Sequence, residues 1–144
     1  MRGGRRLLVG IGLAVTLGWA VGCGDSTAPA DLPGHYVLHA VNGASPPATV
    51  THQDYGFVFR NGFLDFTATD TFTGELSMYL ASQTMTASYS GRYRVSGSTV
   101  NVRGFVVFLG TSHWISRVLT ASGQDITMVD NTLGFDVTLV FSKQ

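Results

Sequence analysis

The sequence predicts an all-β domain, an antiparallel up-and-down barrel of about eight or nine strands, preceded by a removable leader that would be helical. Three observations carry this. From Gly34 onward apolar and polar residues alternate with period two, and turn residues recur every eight to twelve positions or so. At the clearest hairpin both arms alternate in step, so apolar residues meet apolar residues across the turn. No stretch after the leader shows a sustained period of 3.6. The chain therefore divides into residues 1–22 as leader, 23–33 as a modified cysteine with a flexible tether, and 34–144 as barrel.

Arg2, Arg5 and Arg6 precede the uncharged run from Leu7 to Val21, and the small residues Ala20 and Gly22 flank its end. A span needs roughly 20 apolar residues, so this shorter run reads as a secretory signal. Cys23 follows it and is the one cysteine of the chain, which excludes an intramolecular disulfide. Ala20-Val21-Gly22-Cys23 resembles a bacterial lipobox, with Ala20 where leucine is commonest. That resemblance implies cleavage before Cys23 and a thioether-linked diacylglycerol on its sulfur, often with a third acyl chain. Each buried CH₂ contributes about 0.8 kcal/mol, and two chains hold a protein on a membrane where one does not. The membrane is thus the expected partner, through the lipid. Gly24 is not the aspartate that retains such proteins in the inner membrane of some bacteria, so the outer membrane is expected. From Gly24 to about Leu32 the residues are small, polar and proline-containing, as in a flexible tether.

In the first strand Tyr36 and Leu38 alternate with His35, Val37 and His39, up to a stop at Asn42-Gly43 and Pro46-Pro47. Phe57 and Phe59 share one parity, and Leu64 and Phe66 the other. Between them Asn61-Gly62 is either a tight turn or a bulge within one long strand, and the bulge is preferred. Phe66 then meets Phe72 across a short loop at Ala68–Asp70, and Leu76, Met78 and Leu80 continue the inward row. A two-residue turn at Gly97-Ser98 sets Val95 against Val100, Tyr93 against Val102 and Tyr89 against Val106. It also sets Gly91 against Gly104 and, outside, Arg92 against Arg103 and Arg94 against Asn101. In the last hairpin, a turn at Asn131-Thr132 sets Met128 against Phe135 and Ile126 against Val137, with Leu139 and Phe141 extending the inward row. About eight strands enclose an interior that side chains fill or that holds one small ligand.

The phrases Gly34-His35-Tyr36-Val37-Leu38, Val41-Asn42-Gly43 and Gly91-Arg92-Tyr93-Arg94-Val95-Ser96-Gly97, with the closing Phe141-Ser142-Lys143, resemble lipocalin-like lipoprotein domains of bacteria. The resemblance covers most of residues 34–143 and implies a lipocalin/calycin-like barrel with no active site and no agreed ligand. Lipocalins open with Gly-x-Trp, and here Gly34-x-Tyr36 takes that place. The resemblance further implies that Tyr36 closes one barrel end against Lys143.

After Cys23, six basic residues stand against nine carboxylates, a formal −3 that disfavours nucleic acid as a partner. His35 and His39 lie about 13 Å apart along a strand and cannot share one ion, so neither metal nor other cofactor is expected. Asp65, Glu75, Asp125 and Asp136 fall on the outer face, no Gly-x-Ser-x-Gly elbow is present, and an enzyme is not expected. Arg92, Arg94 and Arg103 cluster outside one hairpin. The simpler reading pairs each with a nearby carboxylate, and the other is an anionic partner such as a lipid headgroup or surface polysaccharide. The candidate ligand cavity is lined by inward Tyr36, Tyr89 and Tyr93, with Trp114 at the rim, because buried hydroxyls need partners. Two roles follow for an expected monomer. One is a tethered barrel holding a small apolar or amphipathic molecule. The other is a filled barrel working through its surface, with an exposed apolar patch around Phe105 and Val107.

Overall fold

The computed structural model describes residues 31–144, all of whose regular structure is strand. The leader, Cys23 and most of the tether lie outside the described residues. Nine antiparallel strands follow one another: β1 (Gly34–Val41), β2 (Ala48–His52), β3 (Tyr55–Phe66), β4 (Thr71–Leu80), β5 (Gln83–Ser96), β6 (Thr99–Phe108), β7 (Thr111–Ser122), β8 (Asp125–Asp130) and β9 (Val137–Lys143). From β3 to β9 each pairs with the next, β9 pairs with β1, and β1 returns to β3. Eight strands thus close into a barrel, consistent with a lipocalin-like fold, and β2 lies outside the ring. Closure pairs both edges of those strands, except where β7 and β8 are joined over three residue pairs alone.

One edge of β3 serves two partners. Its first half pairs with β2, from Ala48↔Phe59 to His52↔Tyr55, and its second half with β1, from Gly34↔Phe66 to Val37↔Phe63. The change of partner falls at a bulge. Phe59 faces Met78 and Asn61 faces Ser77, which leaves Arg60 as the extra residue. The bulge lies one or two positions before Gly62, and it produces the parity change between Phe59 and Leu64. A second bulge, at His39, was not legible in the alternation. It lets Val41 follow Leu38 inward.

The β5–β6 ladder runs from Ala87↔Phe108 to Ser96↔Thr99 and contains every pair that the alternation predicts. The last hairpin does not. Met128 faces Leu139 and Ile126 faces Phe141, so the register lies four residues from the one read at Asn131-Thr132. The connection is a six-residue loop, 131–136. The Asp130 carboxylate accepts from the Thr132 amide (3.3 Å) and hydroxyl (2.8 Å), and the Gly134 amide donates to the Asn131 carbonyl (2.9 Å). The displacement is even, so the same side chains still point inward.

The inward rows make one core. At one mouth Leu32 is buried, and its carbonyl accepts from the Tyr36 hydroxyl. Phe66 meets Tyr36 and Tyr93 edge to face, at 5.7 and 5.1 Å between centroids, and lies near Phe72 at 6.1 Å. Lys143 sits opposite Tyr36 in the β1–β9 ladder, 5.8 Å from its ring, and donates to the Asp31 carbonyl at 2.7 Å. At the other mouth Phe135 of the 131–136 loop stacks on His52 at 4.3 Å and leans on Phe57.

Candidate functional site

Tyr36, Tyr89 and Tyr93 point inward as read, but their hydroxyls are spent on the protein. Tyr36 donates to the Leu32 carbonyl (2.9 Å), Tyr93 to the Thr67 carbonyl (2.6 Å) and Tyr89 to Asp130 Oδ2 (2.8 Å). The first two fasten chain segments across one mouth. A void large enough for water would expose the side chains around it. Leu76, Met78, Val100, Leu119, Ile126 and Leu139 are each 0–1% exposed. No water-sized void touches these side chains.

Tyr89 leads to a pair of groups that the sequence analysis did not single out. Asp130 is 4% exposed, and Arg117 reaches it with Nη2 at 2.9 Å from Oδ1. The guanidinium also donates from Nη1 to the Val129 carbonyl (3.3 Å), while its buried Nε has no partner. Parity contained the signal. Arg117 shares the inward row of Ile115 and Leu119, and Asp130 shares that of Ile126 and Met128. The pair bridges a seam, because β7 and β8 are joined only from Thr120↔Thr127 to Ser122↔Asp125. Beyond that the two strands diverge, and a cleft of about 220 Å³ opens between Ile115 and Arg117 on one side and Asn131 and Thr132 on the other.

Burial foremost, then the negative charge of Asp130 and its hydrogen bond, hold the Tyr89 hydroxyl well above the ordinary tyrosine value of 10.0. Burial also raises Tyr36, aided by Asp31 and Tyr93, and raises Tyr93, aided by Asp70 and Asp31. Below pH 10 these side chains are neutral in the folded and unfolded chain alike. Above it the unfolded tyrosines ionise first, so stability falls as pH rises from about 10 through the folded values. Urea midpoints should be flat from neutrality to about pH 9.5 and then decline. In Tyr89→Phe the alkaline decline should be shallower. An unchanged slope would show that burial beside Asp130 does not hold Tyr89 protonated.

Trp114 does not line the interior. It pairs with Phe105 across β6 and β7 on the outer face and is 62% exposed, with the two rings edge to face at 5.1 Å. An inward place was excluded by parity, since Trp114 lies one residue from inward Ile115. Phe105 and Val107 are exposed, as the alternation predicts. Around the Phe105–Trp114 pair lies an outer groove of about 860 Å³, walled by Arg92, Arg94 and Arg103 with Asp70 at its margin. Arg92 stands opposite Arg103. The pairing of these arginines with carboxylates is not found: the ion pairs among the described residues are His35–Asp65 and Arg117–Asp130. Three guanidinium groups and two aromatic rings therefore face solvent together, a surface able to take an anion attached to an apolar or ring-shaped body.

His35 spends its Nδ1 on Asp65 at 2.6 Å, beside the β1–β3 closure. Among the described residues no three metal-ligating side chains come together. No protein-family model matches the chain, and no curated protein matches it.

Proposed function

We propose that this is a cell-envelope lipoprotein, held on its membrane by acylated Cys23, whose filled barrel acts through its outer face as an interaction module. The supporting observation is where the barrel spends its polar groups. The inward tyrosines bond to the protein's own carbonyls and carboxylate, while Arg92, Arg94 and Arg103 are left around an outer groove. The anchor rests on the lipobox resemblance, and the outer membrane on Gly24 after Cys23.

A second reading, a carrier of one small apolar or amphipathic ligand, is favoured by the diverging β7–β8 seam, where a parting wall would admit a guest. Intact-mass spectrometry of protein extracted natively from its host membrane tests both. The expected result is a mature chain beginning at Cys23, heavier by a diacylglycerol and free of a co-purifying small molecule. Cys23→Ala should leave the chain uncleaved by the lipoprotein route and without the added lipid mass. A Cys23 without fatty acid would remove the anchor, and a stoichiometric apolar guest would favour the carrier.

A further inference from the structure

We propose that the outer groove over β5, β6 and β7 seats the phosphate-bearing headgroup of an anionic membrane lipid. This deepens the surface-acting reading and relies on it for the nearness of a bilayer. The registers lay three rows across the groove: Ser90–Phe105–Trp114, then Arg92–Arg103–Ser116, then Arg94–Asn101–Val118. Directly paired residues have Cβ atoms about 4.5–5.5 Å apart, and alternate residues on one strand lie about 7 Å apart. Three guanidinium groups thus rise from one small patch, against the single carboxylate of Asp70 among the groove's lining residues.

Like charges directly opposite each other destabilise a sheet. An anion shared by the three arginines offsets that cost, and phosphate suits them because its oxygens accept paired N–H bonds from the planar guanidinium. The remaining surface identifies what the phosphate is attached to. Phe105, Trp114 and Val118 are 48%, 62% and 63% exposed beside the cations. Tryptophan at the edge of a cationic strip is the arrangement of a membrane–water interface, where a ring rests at headgroup depth. A volume of about 860 Å³ lies within the usual range of small-molecule sites, roughly 300–1,000 Å³.

Chain length places the groove within reach of a bilayer. Arg94 lies near the barrel mouth where Leu32 docks, the end at which β5 finishes and β1 begins. The eight steps from Cys23 to Asp31 extend to at most about 29 Å, at 3.3–3.6 Å each. An acylated Cys23 therefore keeps this mouth close to the headgroups.

The test uses the mature chain with Cys23→Ser, which cannot carry the acyl anchor. Its only tryptophan is Trp114, since Trp19 lies in the leader, so fluorescence reports on the groove directly. With vesicles of equal parts phosphatidylglycerol and phosphatidylcholine, the emission should shift to the blue and the protein should sediment with the lipid. Phosphatidylcholine alone should do neither. Arg92→Gln with Arg103→Gln should weaken binding at least tenfold with a urea midpoint no lower than that of the wild type, since the opposed like charges are removed. Raising salt from 0.1 to 1 M should release the wild type. Equal binding to both vesicles, or to neither, overturns the proposal. So does a full shift with inorganic phosphate alone, or with a soluble acidic polysaccharide where vesicles give none. The assay does not use acylation, so an unacylated Cys23 in the host would refute the anchor without altering this result.

Discussion

Replacing Asp130 by alanine is expected to destabilise the barrel by about 3–5 kcal/mol, the cost of leaving one member of a buried ion pair uncompensated. The carboxylate side chain is 5% exposed and that of Arg117 14%, so water cannot replace the lost partner freely. Asp130 also accepts from Tyr89 and twice from Thr132, and the substitution strands these donors as well. Arg117 already leaves Nε without a partner, a cost that its two Nη contacts offset. The pair as a whole is a different matter. Arg117→Met with Asp130→Leu removes both charges together, a replacement often neutral or stabilising by about 1–4 kcal/mol. Set against this here is about 1–3 kcal/mol for the buried Tyr89 hydroxyl, which loses its acceptor in this variant too. Urea unfolding should therefore rank the single variant far below the double. A single variant within about 1 kcal/mol of wild type would mean that the seam is not held by this pair.

Gly104→Val is expected to cost at least about 3 kcal/mol, at the upper end of what overpacking does. Gly104 and Gly91 face each other across β5 and β6. A Cβ on Gly104 would strike the Ser90 carbonyl oxygen and come within 2.7 Å of the Gly91 Cα, and one on Gly91 would strike the Arg103 carbonyl oxygen. These obstacles are backbone and cannot rotate aside as a side chain would. Gly56→Ala supplies the comparison, because its added Cβ meets only the Thr49 methyl at 3.6 Å, an ordinary contact. That change should shift stability by no more than about 1 kcal/mol. Comparable losses in the two variants would show that the approach of β5 and β6 is not what requires glycine.

The sequence was most legible where alternation and a short turn constrained each other. Around Gly97-Ser98 one register alone matches Val95, Tyr93 and Tyr89 with Val100, Val102 and Val106, because a slip of one residue turns every side chain to the opposite face. Around Asn131 that safeguard fails. A slide of four residues preserves the inward row, so parity accepts both registers, and the choice was made by a side-chain cap from Asp130 that no period reveals. The same limit hid the bulge at His39, a single extra residue within an otherwise regular strand. Tyr36, Tyr89 and Tyr93 were correctly placed inside, but whether their hydroxyls face a ligand or a neighbouring carbonyl depends on contacts far apart in the chain. Arg117 and Asp130 were readable in principle, as charges on apolar rows. Trp114, expected at the rim of the cavity, lies on the outer face, as its parity with Phe105 and its offset from inward Ile115 dictate.

The pairing of β1 with β9 also has a consequence for timing. Tyr36 lies opposite Lys143, so the first strand finds its principal partner only after about a hundred further residues have been made. Contacts so remote in sequence form slowly, since much loop entropy is lost before they give any return. Were the chain threaded through a membrane ahead of folding, as the proposed function requires, that delay would serve it: the cylinder could not shut until its final strand had emerged, and until then the polypeptide would stay open enough to be moved.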